Sequence, residues 1–243
     1  MTNTETPEGT PRGWAIFAHC FTCGKDSRAA VYISRALSRA GIGVLRFDFA
    51  GTGIEGGTGE SVNFASDVDD LRAASKAMAA AGMPPSLLIG HSLGGIAAIV
   101  AAGDMPDIVA VATIGAPADL QHILRNFRQN DLDTIASEGE ASVEIAGRPF
   151  LVRSSFLETV AGIDVEASIA SLRRPVLIMH APMDEVVSID HASRIFIASK
   201  HPKSFIWFCR IRERRRVNRV NCGARTQDES ICSTSKGCVF LST

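Results

Sequence analysis

Residues 86–102 read SLLIGHSLGGIAAIVAA, and the fold turns on how this stretch is read. SLLIG is a short apolar run of strand length, and 92–102 is a longer run of small apolar residues of helix length. Between them Gly90-His91-Ser92-Leu93-Gly94 spells G-x-S-x-G in a strand–turn–helix context. Such a turn holds its serine in a strained backbone conformation, so the hydroxyl projects alone above the sheet. Gly90 and Gly94 leave room where a side chain would clash. A helix starting at Ser92 aims its first amides at developing negative charge. The pattern predicts Ser92 as a nucleophile, with His91 and the two glycines as support. The bland alternative is a glycine-rich helix start capped by serine.

Outward from this corner the chain alternates short apolar runs with helical stretches. Strands are expected at 14–18, 44–49, 86–90, 108–115, 174–180 and 204–208. Helices are expected near 26–40, 61–81, 92–102 and 188–199. Gly41 and Gly82 stop two of these helices. Continuous apolar runs separated by helices predict an α/β fold, a mostly parallel sheet of about six strands with helices on both faces. The rhythm breaks over about 118–170, too long for an ordinary connection, and SVEIAGRPFLVR within it has the pattern of a hairpin. A cap inserted over the carboxyl edge of the sheet is expected there. Its Phe127, Phe150, Phe156 and Leu157 would present an apolar wall to substrate.

The chain has 243 residues, 46% apolar and 21% charged, enough for one large domain with a sizeable core. No apolar run approaches the length of a membrane helix, and residues 1–12 are polar, without a signal-peptide core. With few cysteines in the body, a cytoplasmic location is expected. The net charge of -1 hides an asymmetry. Residues 1–200 carry a net -7 and residues 201–243 a net +6, with Cys209, Cys222, Cys232 and Cys238 all in the second segment.

FAHCFTC (17–23), RFDFAGTG (46–53) and GHSLGG (90–95) together resemble the α/β-hydrolase superfamily. The likeness runs from about Trp14 to Phe208. Within the superfamily the chain is most similar to bacterial hydrolases of the type sometimes fused to an OsmC-like redox domain. The resemblance implies that His19-Cys20-Phe21 is the oxyanion segment, with the backbone N–H groups of Phe21 and Leu93 as donors. Cys20 stands where glycine is commoner. His19 is read as a packing histidine that orders its loop. Asp48 is read as ordering the glycine-rich loop that follows it, and Asp67, Asp69 and Asp70 as a solvated helix start favoured by the helix dipole.

A serine triad needs a base and an orienting carboxylate, in the order Ser, Asp/Glu, His in this superfamily. The acid is expected as Asp184, in the loop after the 174–180 strand, with Glu185 and Asp190 as nearby solvated carboxylates. The histidine is expected in a loop just past Phe208, before a closing helix. No histidine follows His201. His91 adjoins the serine but points elsewhere, His180 ends the acid's own strand, and His201 lies at the wrong end of the last strand. His122 and His191 are left as improvised bases. The sequence departs from the family after about Phe205, and 209–243 is dense in Arg and Cys without helical periodicity. It reads as a disordered tail or the product of a shifted reading frame, and only secondarily as a nucleic-acid arm.

The reading that results is a serine hydrolase acting on a small-molecule ester or amide, impaired by the missing histidine, with no metal or organic cofactor and no membrane partner implied. The rivals are a catalytically silent scaffold and a redox protein using Cys20-x-x-Cys23. A zinc site combining these cysteines with those of the tail lacks a second C-x-x-C.

Overall fold

The computed structural model describes residues 2–20, 23–50, 61–125, 127–145, 148–208 and 241–242. In chain order its elements begin with β1 (Thr2–Glu5), β2 (Gly13–Ala18), α1 (Arg28–Arg39), β3 (Ile42–Phe47), β4 (Ser61–Val62) and α2 (Phe64–Ala80). The central part comprises β5 (Leu87–His91), α3 (Leu93–Ala102), β6 (Ala110–Ile114), α4 (Gln121–Leu124) and α5 (Gln129–Glu138). Then come β7 (Glu140–Ile145), β8 (Arg148–Arg153), α6 (Ser154–Gly162) and α7 (Val165–Ser171). The last elements are β9 (Val176–His180), α8 (Ile189–Ala198), β10 (Lys203–Trp207) and β11 (Leu241–Ser242).

The main sheet runs β1-β3-β2-β5-β6-β9-β10-β11. Its six central strands are parallel, as the apolar runs predict, because each is followed by a helix that carries the chain back. Three short strands, β1, β4 and β11, were not foreseen. β1 pairs antiparallel with β3, Thr2 opposite Phe47, and its TNTE sequence carries no apolar signal because it sits at an exposed edge. Glu5 reaches the buried Arg46 of β3, whose guanidinium also donates to the Lys25 carbonyl at 2.7 Å. At the other edge β11 pairs antiparallel with β10, Ile206 opposite Leu241. The tail reading otherwise falls on 209–240, which lie outside the described residues, as does the glycine-rich loop 51–60.

Alternation along the strands splits the core in two. Ile16, Leu45, Leu88, Val111, Val176, Ile178 and Phe205 face a layer made with α2, α3, α7 and α8. Ala15, Phe17, Val44, Ile89 and Ala112 face the other way, towards Ala30, Ile33 and Leu37 of α1. α3 is apolar on every side, since it lies between the sheet and α2 and α7. The long 118–170 segment folds as α4, α5, the β7–β8 hairpin, α6 and α7, and β4 adds a third strand beside β8.

Asp67 corrects the sequence reading. Asp69 and Asp70 are surface groups, bonded to Arg72 and the Ala50 amide respectively, but Asp67 is buried on the inner face of α2. Helical periodicity decides this: Asp67 follows the buried Phe64 by three positions and precedes the buried Leu71 by four. Burial, with a smaller contribution from the Asp70 charge, holds its carboxyl well above the usual carboxylate range. A group raised in the folded state contributes stability below its unfolded value, about pH 4, and loses it as pH rises through the folded value. Asp67→Asn should therefore gain stability relative to the parent between pH 4 and pH 7, read as urea midpoints. Parallel pH profiles for the two proteins would overturn the assignment.

Candidate active site

The carboxyl ends of parallel strands β2, β5, β6 and β9 deliver four loops to one edge of the sheet. The loop after β5 is the tightest. Ser92 sits at φ 54° and ψ -122°, a region that non-glycine residues avoid at a cost of about 1–3 kcal/mol. Two hydrogen bonds hold it: its amide donates to the Ile114 carbonyl, and its carbonyl accepts from the Gly95 amide, each at 2.9 Å. The flanking glycines are required by close approach. A Cβ on Gly90 would overlap the Gly94 carbonyl, and one on Gly94 would overlap the carbonyls of Ala18 and His19. The loop after β2 thus rests directly on the first turn of α3.

A cavity of about 550 Å³ opens at Ser92. Cys20, His91, Leu93, His122 and Asp184 contribute to its wall, together with apolar groups that include Ile123, Ile145 and Val187. Leu93, the expected oxyanion donor, starts α3; Phe21, the other, lies outside the described residues. His19 is buried and bridges its surroundings: Nδ1 lies 2.7 Å from the Cys20 carbonyl and Nε2 accepts from the Phe49 amide at 3.4 Å. Burial lowers its pKa, which keeps the ring neutral. His91 is likewise lowered by burial, against the raising effect of the Asp184 charge. Lys25 binds Asp48 through both its amide, at 2.7 Å, and its ammonium, at 2.9 Å. Burial pushes the Asp48 carboxyl up, but these contacts outweigh it and the net shift is downward.

Asp184 terminates a tight turn after β9. Its Oδ1 accepts from the Val186 and Val187 amides, each at 2.9 Å, and Oδ2 lies 3.9 Å from His180 Nε2. Glu185 and Asp190 do not line the cavity. The two histidines left as improvised bases separate here. His122 reaches the cavity wall, with Nε2 donating to the Val186 carbonyl at 2.9 Å. His191, on α8, accepts from the Ala118 amide at Nδ1 and stays out of the wall, its ring edge-on to His122. His201, exposed at the amino end of β10, is at the opposite edge of the sheet.

Two expectations change. Phe127, Phe150 and Phe156 do not face substrate space; they are buried in the core, with Phe127 and Phe156 stacked at 6.3 Å. Leu157 lines a separate depression with Asp119 and Arg125. Large aromatics bury more area in the core than at an open wall, so the apolar lining of the cavity comes from smaller residues such as Ile123 and Ile145. The second change concerns Cys20 and Cys23, which are joined as a disulfide in the loop after β2.

Residues 9–134 match the model of the serine aminopeptidase S33 family. Among solved structures, the chain is similar to the esterase domain of a Rhodothermus marinus protein, at 43% identity and a TM-score of 0.67, covering 85% of this chain and 80% of that one. It also resembles Est1E from Butyrivibrio proteoclasticus, solved with ferulic acid, at 21% identity, a TM-score of 0.69, and 85% and 84% coverage. A monoacylglycerol lipase from Paleococcus ferrophilus matches at 19% identity, a TM-score of 0.59, and 86% and 88% coverage. No curated protein sequence matches the chain.

The corner makes a graded prediction about glycine. Gly94→Ala forces a methyl into two backbone carbonyls and should cost about 1–3 kcal/mol. Gly162→Ala, at the end of α6 with nothing within 4 Å of the new methyl, should be neutral or stabilising by up to about 1 kcal/mol. Equal losses in urea denaturation would show that the close approach at Gly94 is not real.

Proposed function

The chain belongs to the serine aminopeptidase S33 family of α/β-hydrolases, and from that premise we propose an esterase-type serine hydrolase whose acyl transfer runs through Ser92, with Asp184 as the acid and turnover held low by the lack of a well-placed base. The observation that carries this reading is the strained Ser92 at a strand-to-helix corner, opening into a cavity that Asp184 also lines. The hydroxyl attacks the acyl carbon of a small ester. The oxyanion is received by the Leu93 amide at the start of α3, where the helix dipole adds to it, and by the Phe21 amide. Asp184 spends Oδ1 on its own turn, which leaves Oδ2 to orient a histidine.

Low turnover is inferred from the stretch just past Phe208, where the histidine is expected and 209–216 reads CRIRERRR. Loss of one triad member removes most of the acceleration and leaves a residue from the oxyanion donors and binding, about 10³–10⁴-fold over water in the best-studied triads. The apolar wall around Ile123, Ile145 and Val187 favours an ester with an apolar acyl or alcohol group under a cap formed by 118–170. Two rivals remain distinct. A silent scaffold predicts no reaction at Ser92. A redox protein finds support in the Cys20–Cys23 disulfide and predicts fast alkylation of the reduced thiols near neutral pH.

A p-nitrophenyl butyrate assay beside fluorophosphonate labelling tests the proposal. Expected are slow hydrolysis and slow labelling, both lost in Ser92→Ala. Turnover at ordinary enzyme rates, about 1–10³ s⁻¹, that is abolished by Ser92→Ala would overturn the impairment. Hydrolysis untouched by Ser92→Ala would overturn the assignment of the nucleophile. A folded parent that neither hydrolyses nor labels would favour the scaffold.

A further inference from the structure

Two sulfurs and an imidazole converge beside Ser92. Cys20 Sγ, Cys23 Sγ and a ring nitrogen of His91 all lie within 4.8 Å of one another. They come from separate parts of the chain. Cys20 and Cys23 belong to the loop after β2, where the Cys23 amide donates to the Cys20 carbonyl and the Cα atoms are 5.1 Å apart. His91 is the last residue of β5, half-buried, and shares the cavity wall with Cys20. β2 and β5 are hydrogen-bonded neighbours with Ala18 opposite Gly90, so the loop that carries the cysteines starts beside His91.

We propose that, once the Cys20–Cys23 disulfide is reduced, Cys20, Cys23 and His91 bind one thiophilic divalent cation, zinc above all, at the mouth of the Ser92 cavity. Zinc takes two thiolates at about 2.3 Å and an imidazole nitrogen at about 2.0–2.1 Å, which sets tetrahedral donors about 3.5–3.8 Å apart. Side-chain rotations of about 1 Å bring this cluster to that spacing. Two thiolates and one imidazole exclude calcium and magnesium, which require oxygen donors. Among the described residues the cluster offers three protein ligands, which leaves a fourth position for water or a substrate atom.

A dithiol reductant gives two electrons and two protons to the Cys20–Cys23 bond and becomes a disulfide itself. Cation binding then releases the two thiol protons to solvent. In the oxidised chain Cys20 and Cys23 are bonded to each other and neither offers a thiolate, so uptake at this cluster is confined to the reduced state. A cation held by His91 stands one residue from Ser92 and obstructs the cavity. The inference rests on the donor cluster and is independent of whether Ser92 turns over esters.

Cobalt titration of the full-length protein tests it, with Cys209, Cys222, Cys232 and Cys238 all replaced by Ser so that tail thiols cannot contribute. After phosphine reduction and without oxygen, we expect one Co²⁺ per chain. Its spectrum should show a thiolate-to-cobalt charge-transfer band and strong tetrahedral d–d bands, both displaced by Zn²⁺. The oxidised protein should show neither. Cys20→Ser or Cys23→Ser should abolish stoichiometric uptake. His91→Gln should retain the charge-transfer band, shift the d–d bands and weaken binding by about 10–100-fold, with circular dichroism verifying the fold of each variant. No uptake by the reduced, folded parent overturns the proposal, and so does a spectrum unchanged by Cys20→Ser or by His91→Gln.

Discussion

The structure depends on one close backbone approach, the seating of α3 in the corner between the β2 and β5 loops. Gly90, Gly94 and Gly95 stand where any side chain would meet backbone or the Ala116 methyl. This lets the first turn of α3 lie against the Ala18 and His19 carbonyls, and it forces Ser92 into its left-handed conformation. The strain is local, and the burial that offsets it is broad. Leu93, Ile96, Ile99 and most of the remaining α3 residues are removed from water. At about 25 cal/mol per Å² of apolar surface, one helix this apolar stabilises the corner by more than the 1–3 kcal/mol that the serine's backbone costs.

A second rigid point faces it across the cavity. Val186 and Val187 have all four of their backbone polar groups taken by side chains. Asp184 accepts from both amides, His122 donates to the Val186 carbonyl and His180 to the Val187 carbonyl. A loop with its backbone satisfied in this way does not need water or a sheet neighbour to hold its shape. The arrangement also fixes which nitrogen of each histidine carries the proton, since a carbonyl can only accept. The carboxylate therefore has a structural duty as well as any chemical one. Removing Asp184 would free two amides and loosen the loop that His122 and His180 hold from the other side.

Much of this was legible in the sequence, and the failures have physical causes. The six parallel strands follow from apolar runs that are buried on both faces, a signal that survives without context. β1 was not legible because none of its residues is buried, so TNTE has no apolar alternation to display. Asp67 was misread because charge near a helix start has two meanings, solvated or buried, and only its phase relative to Phe64 and Leu71 separates them. The three cap phenylalanines were assigned to substrate because they lie in the 118–170 segment, whereas all three are in the buried core and Phe127 stacks on Phe156. Side-chain convergence across non-adjacent loops, as at His122 and Val186 or at Cys20 and His91, leaves no mark on local sequence at all. Phe21 lies outside the described residues, so its amide adds nothing to this comparison.

The two faces of the sheet are covered differently. Among the described residues α2, α3, α7 and α8 cover one face, while α1 alone covers the other. Beside α1 a groove of about 690 Å³ remains, lined by Leu37, Ile89, Ile114, Leu177, Met179 and Phe208. Parallel sheets carry apolar residues on both faces because both are normally covered, and β5, β6 and β9 are written that way. The strand sequences therefore anticipate a further apolar element over this groove. The natural source is the chain that leaves β10, since Phe208 already borders the groove and donates its amide to the His180 carbonyl. From Cys209 onward, however, the sequence is rich in arginine and has neither the apolar periodicity of a covering helix nor a histidine. Up to Phe208 the local signals agree with one another: strands written for burial on both faces, glycines where backbones meet, and a strained serine at the corner they make.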